Sequence, residues 1–277
     1  MLMLSTLVLL VGLGFVAWPA VTELSSSMQA KDSISAISTV YDSMSDAARQ
    51  ENVDQAHAFN DRLLGIRDAG GIWDYDMQLT YHEEPSTMMA WIEIPKIGTC
   101  LPIYHHATEA ILMTGVGHID TTCLPVGGEG TLCALSGHSG MQNARMFDDI
   151  RELEIGDRFV IWTLNDPYAY SVCDIRVVDP DDTSLLQPQP GRDLVALVTC
   201  TPINVNSHRL VVLAERCEYD PQSERLAEGM EAVANRRTLP VIVASGAVAL
   251  VLAGLAVAGA VAMARKGKGG GHGVDRQ

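Results

Sequence analysis

Two long apolar runs lie near the ends of the chain, and a more polar region separates them. Residues 2–21 carry no charged side chain, and a run of about twenty apolar residues is long enough to span a bilayer as a helix. Residues 239–263 are also uncharged, and the basic cluster at 265–268 follows them directly. Because clustered cations mark the cytoplasmic side of a span, we predict two transmembrane helices, at 1–22 and 239–264, with both termini cytoplasmic and the intervening region outside. A signal peptide is the alternative for the first run, but it has no basic leading segment and no clear cleavage site.

The polar region begins with apolar residues at helical spacing. They recur at steps of three and four positions: Ile34, Ile37, Tyr41 and Met44 in a first set, and Val53, Ala56 and Phe59 in a second. This spacing predicts two amphipathic helices within a helical extension at residues 23–88. We interpret the extension as a stalk that lifts a folded domain from the membrane.

Short apolar segments separated by turn residues fill the next part of the chain, residues 89–220. The predicted strands lie at 91–94, 100–104, 115–119, 131–136, 158–164, 168–178, 194–199 and 209–216. Strands at this spacing are typical of a closed barrel or a sandwich, so the predicted fold class is mainly β. One short helix is predicted at 143–153, and a membrane-proximal helix at 221–238 leads into the second span. The glycine-rich, basic residues 265–277 are predicted to form a cytoplasmic tail.

Three side chains with catalytic potential fall at the ends of predicted strands. One strand ends at Cys200, a turning loop with Pro202 and two asparagines follows, and the next strand begins at Arg209. This hairpin places a thiol and a guanidinium at the same rim of a sheet. His138 follows another strand and lies between two glycines. A thiol, an imidazole and a guanidinium at three strand ends suggest acyl transfer through a thioester.

Each of these residues also has a simpler interpretation. A single buried cysteine is usually inert core, a single histidine before a loop is more often structural, and an arginine at a strand start usually faces water. The combination favours catalysis, because a nucleophilic thiol needs a base and an oxyanion partner that are distant in sequence and close in space.

The motifs around these residues resemble the sortases, cysteine transpeptidases of Gram-positive cell surfaces. The strings are SGHSG at 136–140, VTCTP at 198–202 and NSHRLVV at 206–212. Further strings resemble the pilus-assembling class C subgroup: AWIEIPKI at 90–97, LPIYH at 101–105, GVGH at 115–118, LPVGG at 124–128, GDRF at 156–159 and VDPDDTS at 178–184. The resemblance implies an eight-stranded β-barrel, with Cys200 as nucleophile and His138 as general acid–base. Arg209 would stabilise the oxyanion of each tetrahedral intermediate or hold the substrate backbone.

The resemblance also implies the reaction and its partners. The substrate would be a protein with an LPXTG-type signal, cleaved between Thr and Gly, and the acceptor would be a pilin lysine amine or a peptidoglycan precursor. Thr199 and Thr201, which flank the thiol, are candidates for substrate binding. Ser139 stands where class C often has arginine, and residues 203–204 are Ile-Asn where Tyr-Gly is common. These departures leave the signal preference open.

A flexible lid over the catalytic groove is a further feature of class C sortases. Its usual Asp-Pro-aromatic tripeptide does not occur here, but Trp73 and Asp74 precede the barrel at a similar place. We therefore consider that the Trp73 indole covers Cys200 and that the Asp74 carboxylate meets Arg209. The alternative is that Trp73 packs on the barrel exterior.

Charge and cysteine content limit the remaining possibilities. The net charge is −15, which argues against a nucleic-acid partner, because phosphate binding needs a basic patch. Six cysteines include no CxxC pair, so we expect no metal site, and no cofactor is expected. An external compartment permits disulfides, and Cys173 with Cys217 is a candidate pair.

The other histidines are predicted to have structural or surface roles. We predict that His118 is structural, that His105 and His106 lie at the surface or in a turn, and that His208 points away from Arg209.

Two other functions remain open. A housekeeping sortase would attach surface proteins to the peptidoglycan precursor, although two spans and a long extension favour the pilus type. A membrane-anchored extracellular domain that only binds would have no special reactivity at Cys200.

Overall fold

The computed structural model describes residues 2–66, 74–80 and 88–221. The chain divides into two compact units, one formed by 1–24 with 235–277 and the other by 25–234. In the described ranges, no helix has both the length and the apolar character needed to cross a bilayer. The predicted second span at 239–264, the tail, and the predicted helix at 221–238 beyond its first residue lie outside the described residues.

Residues 88–216 form a closed barrel of eight strands, as predicted. The strands are β1 Met88–Ile94, β2 Thr99–Tyr104, β3 Val116–His118, β4 Thr131–Ser136, β5 Arg158–Thr163, β6 Asp166–Val178, β7 Asp193–Thr201 and β8 His208–Arg216. Their order around the barrel is β1-β2-β3-β4-β7-β8-β6-β5. The β2–β3 and β4–β7 pairs are parallel, and the other neighbours are antiparallel. Closure removes the exposed edges that an open sheet would leave.

The parallel pair β4–β7 is buried on both of its faces. Val195 and Leu197 of β7 point into the main barrel core. The alternate residues Leu194 and Ala196 belong to a second apolar cluster on the outside, which Leu185 helps to cover. Strand side chains alternate between faces, so a nearly continuous apolar run becomes a strand covered on both sides. This pair is therefore a rigid support for whatever follows its two carboxyl ends.

Within the described ranges the chain forms three α-helices. They are α1 Leu2–Ser43, α2 Asp46–Leu63 and the single turn α3 Glu109–Leu112. The predicted helix at 143–153 is wrong in extent, because only a short 3₁₀ segment forms, at Asp148–Glu152. Its apolar residues Phe147 and Ile150 are fully buried, so tertiary packing determines the conformation of this segment.

The helical extension is not a free stalk, which corrects our interpretation. From residue 25 onward, apolar residues of α1 and α2, including Tyr41 and Phe59, belong to the same core cluster as the barrel strands. Asn60 of α2 is buried, and its amide exchanges two hydrogen bonds with the main chain of Leu124, from Leu124 N to Oδ1 at 2.8 Å and from Nδ2 to Leu124 O at 3.3 Å. The apolar stripe of the two helices thus covers the barrel wall.

Candidate active site

Cys200 and Arg209 are direct partners in the antiparallel ladder between β7 and β8. Side chains of directly opposed residues lie on the same face, with Cβ atoms about 5 Å apart. Cys200 is a free, half-buried thiol. Arg209 is also half-buried, and its Nη1 donates to the carbonyls of Asn206 at 3.3 Å and His208 at 3.2 Å. The hairpin therefore presents a thiol beside a guanidinium, as the sequence predicted.

The histidine loop is attached to the end of β7. In the β4–β7 pair Ser136 is opposite Val198, and the Gly137 amide extends the ladder by donating to Val198 O at 3.0 Å. The hydroxyl of Thr199, which is only 4% exposed, donates to Gly137 O at 2.7 Å. Thr199 was a candidate for substrate binding, and in the structure its hydroxyl holds the histidine loop.

A further hydrogen bond connects the residue after His138 to the backbone of Cys200. The Ser139 hydroxyl donates to the backbone carbonyl of Cys200 at 2.7 Å. His138 therefore lies between two residues, Gly137 and Ser139, that are each hydrogen-bonded to the end of β7. The structure brings the backbone of His138 next to that of Cys200 across about sixty residues of chain.

Close packing explains the glycine before the histidine. A Cβ atom on Gly137 would lie 2.6 Å from ring atoms of Phe147, which no real contact allows. The amide of Phe147 in turn donates to the carbonyl of His138 at 3.0 Å. The buried phenyl ring thus fixes the far side of the histidine loop.

The imidazole of His138 contacts a carboxylate that the sequence analysis missed. Its Nε2 lies 3.2 Å from Oε1 of Glu109, the first residue of α3. The His138 side chain is 24% exposed and that of Glu109 is 79% exposed. Nothing in the local sequence around Glu109 indicates this contact, because β3 and β4 separate the two residues along the chain.

Of the two predicted lid residues, the structure describes only Asp74. Trp73 lies outside the described residues. The Asp74 carboxylate accepts from Asp76 N at 3.1 Å and caps a 3₁₀ turn at Tyr75–Met77. The predicted ion pair between Asp74 and Arg209 is not formed, since each group has other partners. Thr201, the remaining candidate, is half-buried and pairs with His208 at the end of the ladder.

His118 is structural, as predicted, and belongs to a buried network. Its ring is fully buried, with Nε2 donating to Cys123 O at 2.8 Å and Nδ1 accepting from the Tyr75 hydroxyl at 2.8 Å. Burial lowers the pKa of His118 to about 4. The network thereby ties the segment around Tyr75 to β3.

The predictions for the other histidines have different outcomes. We predicted that His105 lies at the surface or in a turn: it lies in a bend directly after β2, but it is not at the surface, because the residue is 2% exposed and its Nε2 lies 2.9 Å from Gln78 O. The segment that covers His105 comes from before the barrel. His106 lies in the same bend, its side chain is 40% exposed, and it contacts Asp76, with Nε2 2.7 Å from Oδ1. His208 is exposed as expected.

The cysteines are not paired. All six are free thiols, and the register of β6 and β8 separates Cys173 from Cys217. Cys173 Sγ contacts Leu213 O, whereas the Cys217 amide donates to Ala169 O. Leu213 and Cys217 are four residues apart, or about 13 Å along a strand, so the suggested disulfide is wrong. Within the described ranges no cluster of three or more metal-binding side chains occurs.

Comparisons with known proteins match this barrel and its motifs. Residues 92–217 match the family model of the sortase domain. The structure of a lid mutant of sortase A from Corynebacterium diphtheriae is 38% identical, with a TM-score of 0.60, and the match covers 65% of this chain and 100% of that one. This chain belongs to the sortase family. Sortase C1 from Streptococcus agalactiae is 35% identical with a TM-score of 0.64, over 68% of this sortase and 100% of that chain.

Among curated proteins, the similarity covers a smaller share. Sortase A of Bacillus anthracis is 31% identical over 124 residues, which are 45% of this sortase and 57% of that protein. Sortase D of Bacillus subtilis is 33% identical over 113 residues, which are 41% of this sortase and 54% of that protein. The chain thus spans about half the length of these curated relatives.

Proposed function

We propose that this chain is a membrane-anchored cysteine transpeptidase that cleaves an LPXTG-type signal between Thr and Gly and transfers the acyl group to a pilin lysine amine. The observation that carries the proposal is the arrangement of Cys200 opposite Arg209, with the loop of His138 hydrogen-bonded to the same strand end. The similarity to sortase C1 and to a pilus-related sortase C of Group B Streptococcus supports the pilus type.

The first half of the proposed reaction forms a thioester. The Cys200 thiolate attacks the carbonyl carbon of the signal threonine, and the carbonyl electron pair moves onto oxygen. Arg209 donates to that oxyanion, a contribution on the order of 10²–10³ in rate. The C–N bond to glycine then breaks as the His138 imidazolium gives its proton to the leaving amine, which typically contributes roughly 10²–10⁴.

The second half transfers the acyl group. The amine nitrogen of the acceptor attacks the thioester carbon, and neutral His138 takes a proton from it. The C–S bond breaks, which returns the Cys200 thiolate and the imidazolium. Arg209 suits both halves because it stays charged and carries several directed donors, of which only Nη1 has protein partners within the described residues.

The test is to observe the acyl-enzyme. The purified full chain is mixed with a Leu-Pro-x-Thr-Gly peptide, and mass spectrometry locates the adduct. We expect an adduct on Cys200 that Cys200→Ala abolishes and that Cys217→Ala, which removes another half-buried thiol, preserves. Cleavage that survives Cys200→Ala, or an adduct on a different thiol, would contradict the proposal. No reactivity with any signal peptide would favour the binding-only domain.

A second candidate is a housekeeping sortase, which the similarity to sortase A of B. anthracis favours. The two candidates differ in the amine that resolves the thioester. The preformed acyl-enzyme is offered equal concentrations of a lysine-containing pilin peptide and a peptidoglycan-precursor peptide. Preferential transfer to the lysine side chain supports the pilus type, and preferential transfer to the precursor supports the housekeeping type.

We also infer that residues 2–21 and 239–263 anchor the enzyme with the barrel outside the cell. The support is the length and charge pattern of the two runs. The check is cell fractionation followed by protease treatment of intact protoplasts. We expect the protein in the membrane fraction and the barrel to be degraded by the added protease. A barrel that is protected from protease in intact protoplasts would contradict this orientation.

A further inference from the structure

The contact between Glu109 and His138 is an interaction with the proposed acid–base group that no sortase motif in the sequence points to. Glu109 opens α3, a single helical turn between β2 and β3. The turn is capped by Thr108, whose hydroxyl accepts from Ile111 N at 3.4 Å and whose carbonyl accepts from Leu112 N at 2.9 Å. The carboxylate therefore comes from a turn with its own hydrogen bonds.

The carboxylate of Glu109 determines which nitrogen of the His138 ring carries the proton. A carboxylate can only accept hydrogen bonds, so the Nε2 that lies 3.2 Å from Glu109 Oε1 carries the hydrogen. Neutral imidazole has one N–H, and the hydrogen bond at one nitrogen decides which tautomer is present. The lone pair of neutral His138 is then on Nδ1.

We propose that Glu109 is a positioning residue that fixes the ring orientation and tautomer of His138, so that Nδ1 is the atom that exchanges protons with the substrate amine. In the imidazolium form, Nε2–H stays on Glu109 and the Nδ1 proton goes to the leaving glycine amine. In the neutral form, Nδ1 accepts the proton of the incoming amine. This role rests on the proposed transpeptidase function.

Exposure limits the size of the effect. Glu109 is 79% exposed and His138 is 24% exposed, so the contact is screened by water. Interactions of this kind typically contribute less than about 1 kcal/mol, which corresponds to roughly a 5-fold change in rate. We expect the contact to orient the His138 ring and to change the stability of the barrel very little.

The experiment combines kinetics with a direct reading of the ring. Steady-state cleavage of a Leu-Pro-x-Thr-Gly peptide is measured for the full chain, Glu109→Ala, Glu109→Gln and Glu51→Ala. Glu51 is an exposed glutamate of α2 and controls for the loss of one negative charge. We expect Glu109→Ala to lower kcat by about 2- to 5-fold with KM unchanged, Glu109→Gln to recover most of it, and Glu51→Ala to match the wild type.

The second measurement is independent of activity. Nitrogen-15 NMR of the His138 ring, assigned with His138→Gln, reports which nitrogen is protonated in the neutral form. We expect a predominantly Nε2–H ring in the wild type and a mixture in Glu109→Ala. An unchanged tautomer together with an unchanged kcat in Glu109→Ala would overturn the proposal. A wild type that cleaves no peptide would instead refute the proposed function, while the NMR result would still decide the tautomer.

Discussion

Ser139 shows at the scale of a single residue how a departure from the family pattern can be accommodated. Its hydroxyl donates to the Cys200 carbonyl at 2.7 Å, so it connects the histidine loop to the backbone of Cys200 through a short neutral hydrogen bond. Arginine, which class C often has at this place, has no hydroxyl and could not make this hydrogen bond. In this chain a small polar side chain therefore holds the histidine loop against the end of β7.

We predict that Ser139→Ala lowers kcat for peptide cleavage by roughly 3- to 10-fold, because it removes one hydrogen bond of about 1 kcal/mol that holds the loop. Ser139→Thr keeps the hydroxyl and should retain most of the rate. Ser207→Ala, which removes an exposed hydroxyl next to His208, is the control. Equal kcat values for Ser139→Ala and the wild type would show that the bond does not position the histidine.

Burial of His118 predicts a loss of stability in acid. Its pKa is lowered to about 4 in the folded state by burial, against about 6.5 when unfolded. The unfolded chain thus binds the proton more tightly than the folded chain. The stabilisation that comes from keeping His118 neutral is therefore fully present above pH about 6.5 and is lost as the pH falls towards 4. The free energy of unfolding should fall by up to roughly 3 kcal/mol from this residue.

The measurement is urea unfolding of the wild type and His118→Gln at several pH values between 4 and 7.5. His118→Gln should be less stable at neutral pH and should show a smaller decline on acidification. The quantity to compare is the difference between the two curves, because the half-buried carboxyls of Asp193 and Glu93 have pKa values raised by desolvation, and their protonation acts in the opposite direction. His208→Gln, at an exposed position, should keep the wild-type slope. Parallel curves for the wild type and His118→Gln would contradict the assignment.

At the scale of elements, α2 is attached to the barrel by a polar contact within an apolar surface. Asn60 is 2% exposed and its amide satisfies both the N–H and the C=O of Leu124. Buried backbone groups need such partners because water cannot reach them. The segment after β3 therefore depends on a helix that precedes the barrel in sequence.

We predict that Asn60→Ala lowers the free energy of unfolding by about 2–4 kcal/mol, because two buried backbone groups lose their partner. Asn52→Ala is the matched control on the same helix, since the Asn52 amide donates only to Ala48 O within α2. The check is chemical denaturation of both variants. Equal losses in the two variants would show that the contact between α2 and the barrel is not the cause.

At the scale of the whole molecule, the helical extension and the barrel share one core. The residues of α1 and α2 that are buried in this cluster are Ile34, Ile37, Tyr41, Val53, Ala56 and Phe59. Burying one large apolar side chain contributes about 1.5–3 kcal/mol, and a typical domain has a net stability of about 5–15 kcal/mol. Before the entropy of ordering the helices is subtracted, the burial of these side chains is large relative to such a net stability, so we expect the two helices to stabilise the barrel.

We predict that a fragment of residues 88–221 loses cooperative thermal unfolding and binds a hydrophobic dye, whereas a fragment of 25–221 unfolds in one transition. The reason is the apolar barrel wall that removal of α1 and α2 uncovers. Differential scanning calorimetry and dye fluorescence provide the check. Equal transition temperatures for the two fragments would show that packing of the two helices does not stabilise the barrel.

Local patterns in the sequence were sufficient for the strands and for part of the site. An alternating or continuous apolar run is a signal that lies within the strand itself. The eight strands could therefore be predicted to within a few positions. Cys200 and Arg209 flank one short loop, and a hairpin forces such residues into register. His118 could be interpreted correctly as structural because it lies inside a predicted strand.

Tertiary structure alone decided which elements cover one another. The apolar stripe of α1 and α2 indicates that something must cover it, but the stripe is the same for a stalk and for a helix packed on a barrel. The burial of His105, the bond from Asn60 to Leu124 and the contact from Glu109 to His138 join residues that are 27 to 64 positions apart. The sequence by itself determined periodicity, charge and the short loop at the site, since these depend on neighbouring residues. The contacts that position His138 depend on the parallel pairing of β4 with β7 and on packing between distant segments, which no local pattern encodes.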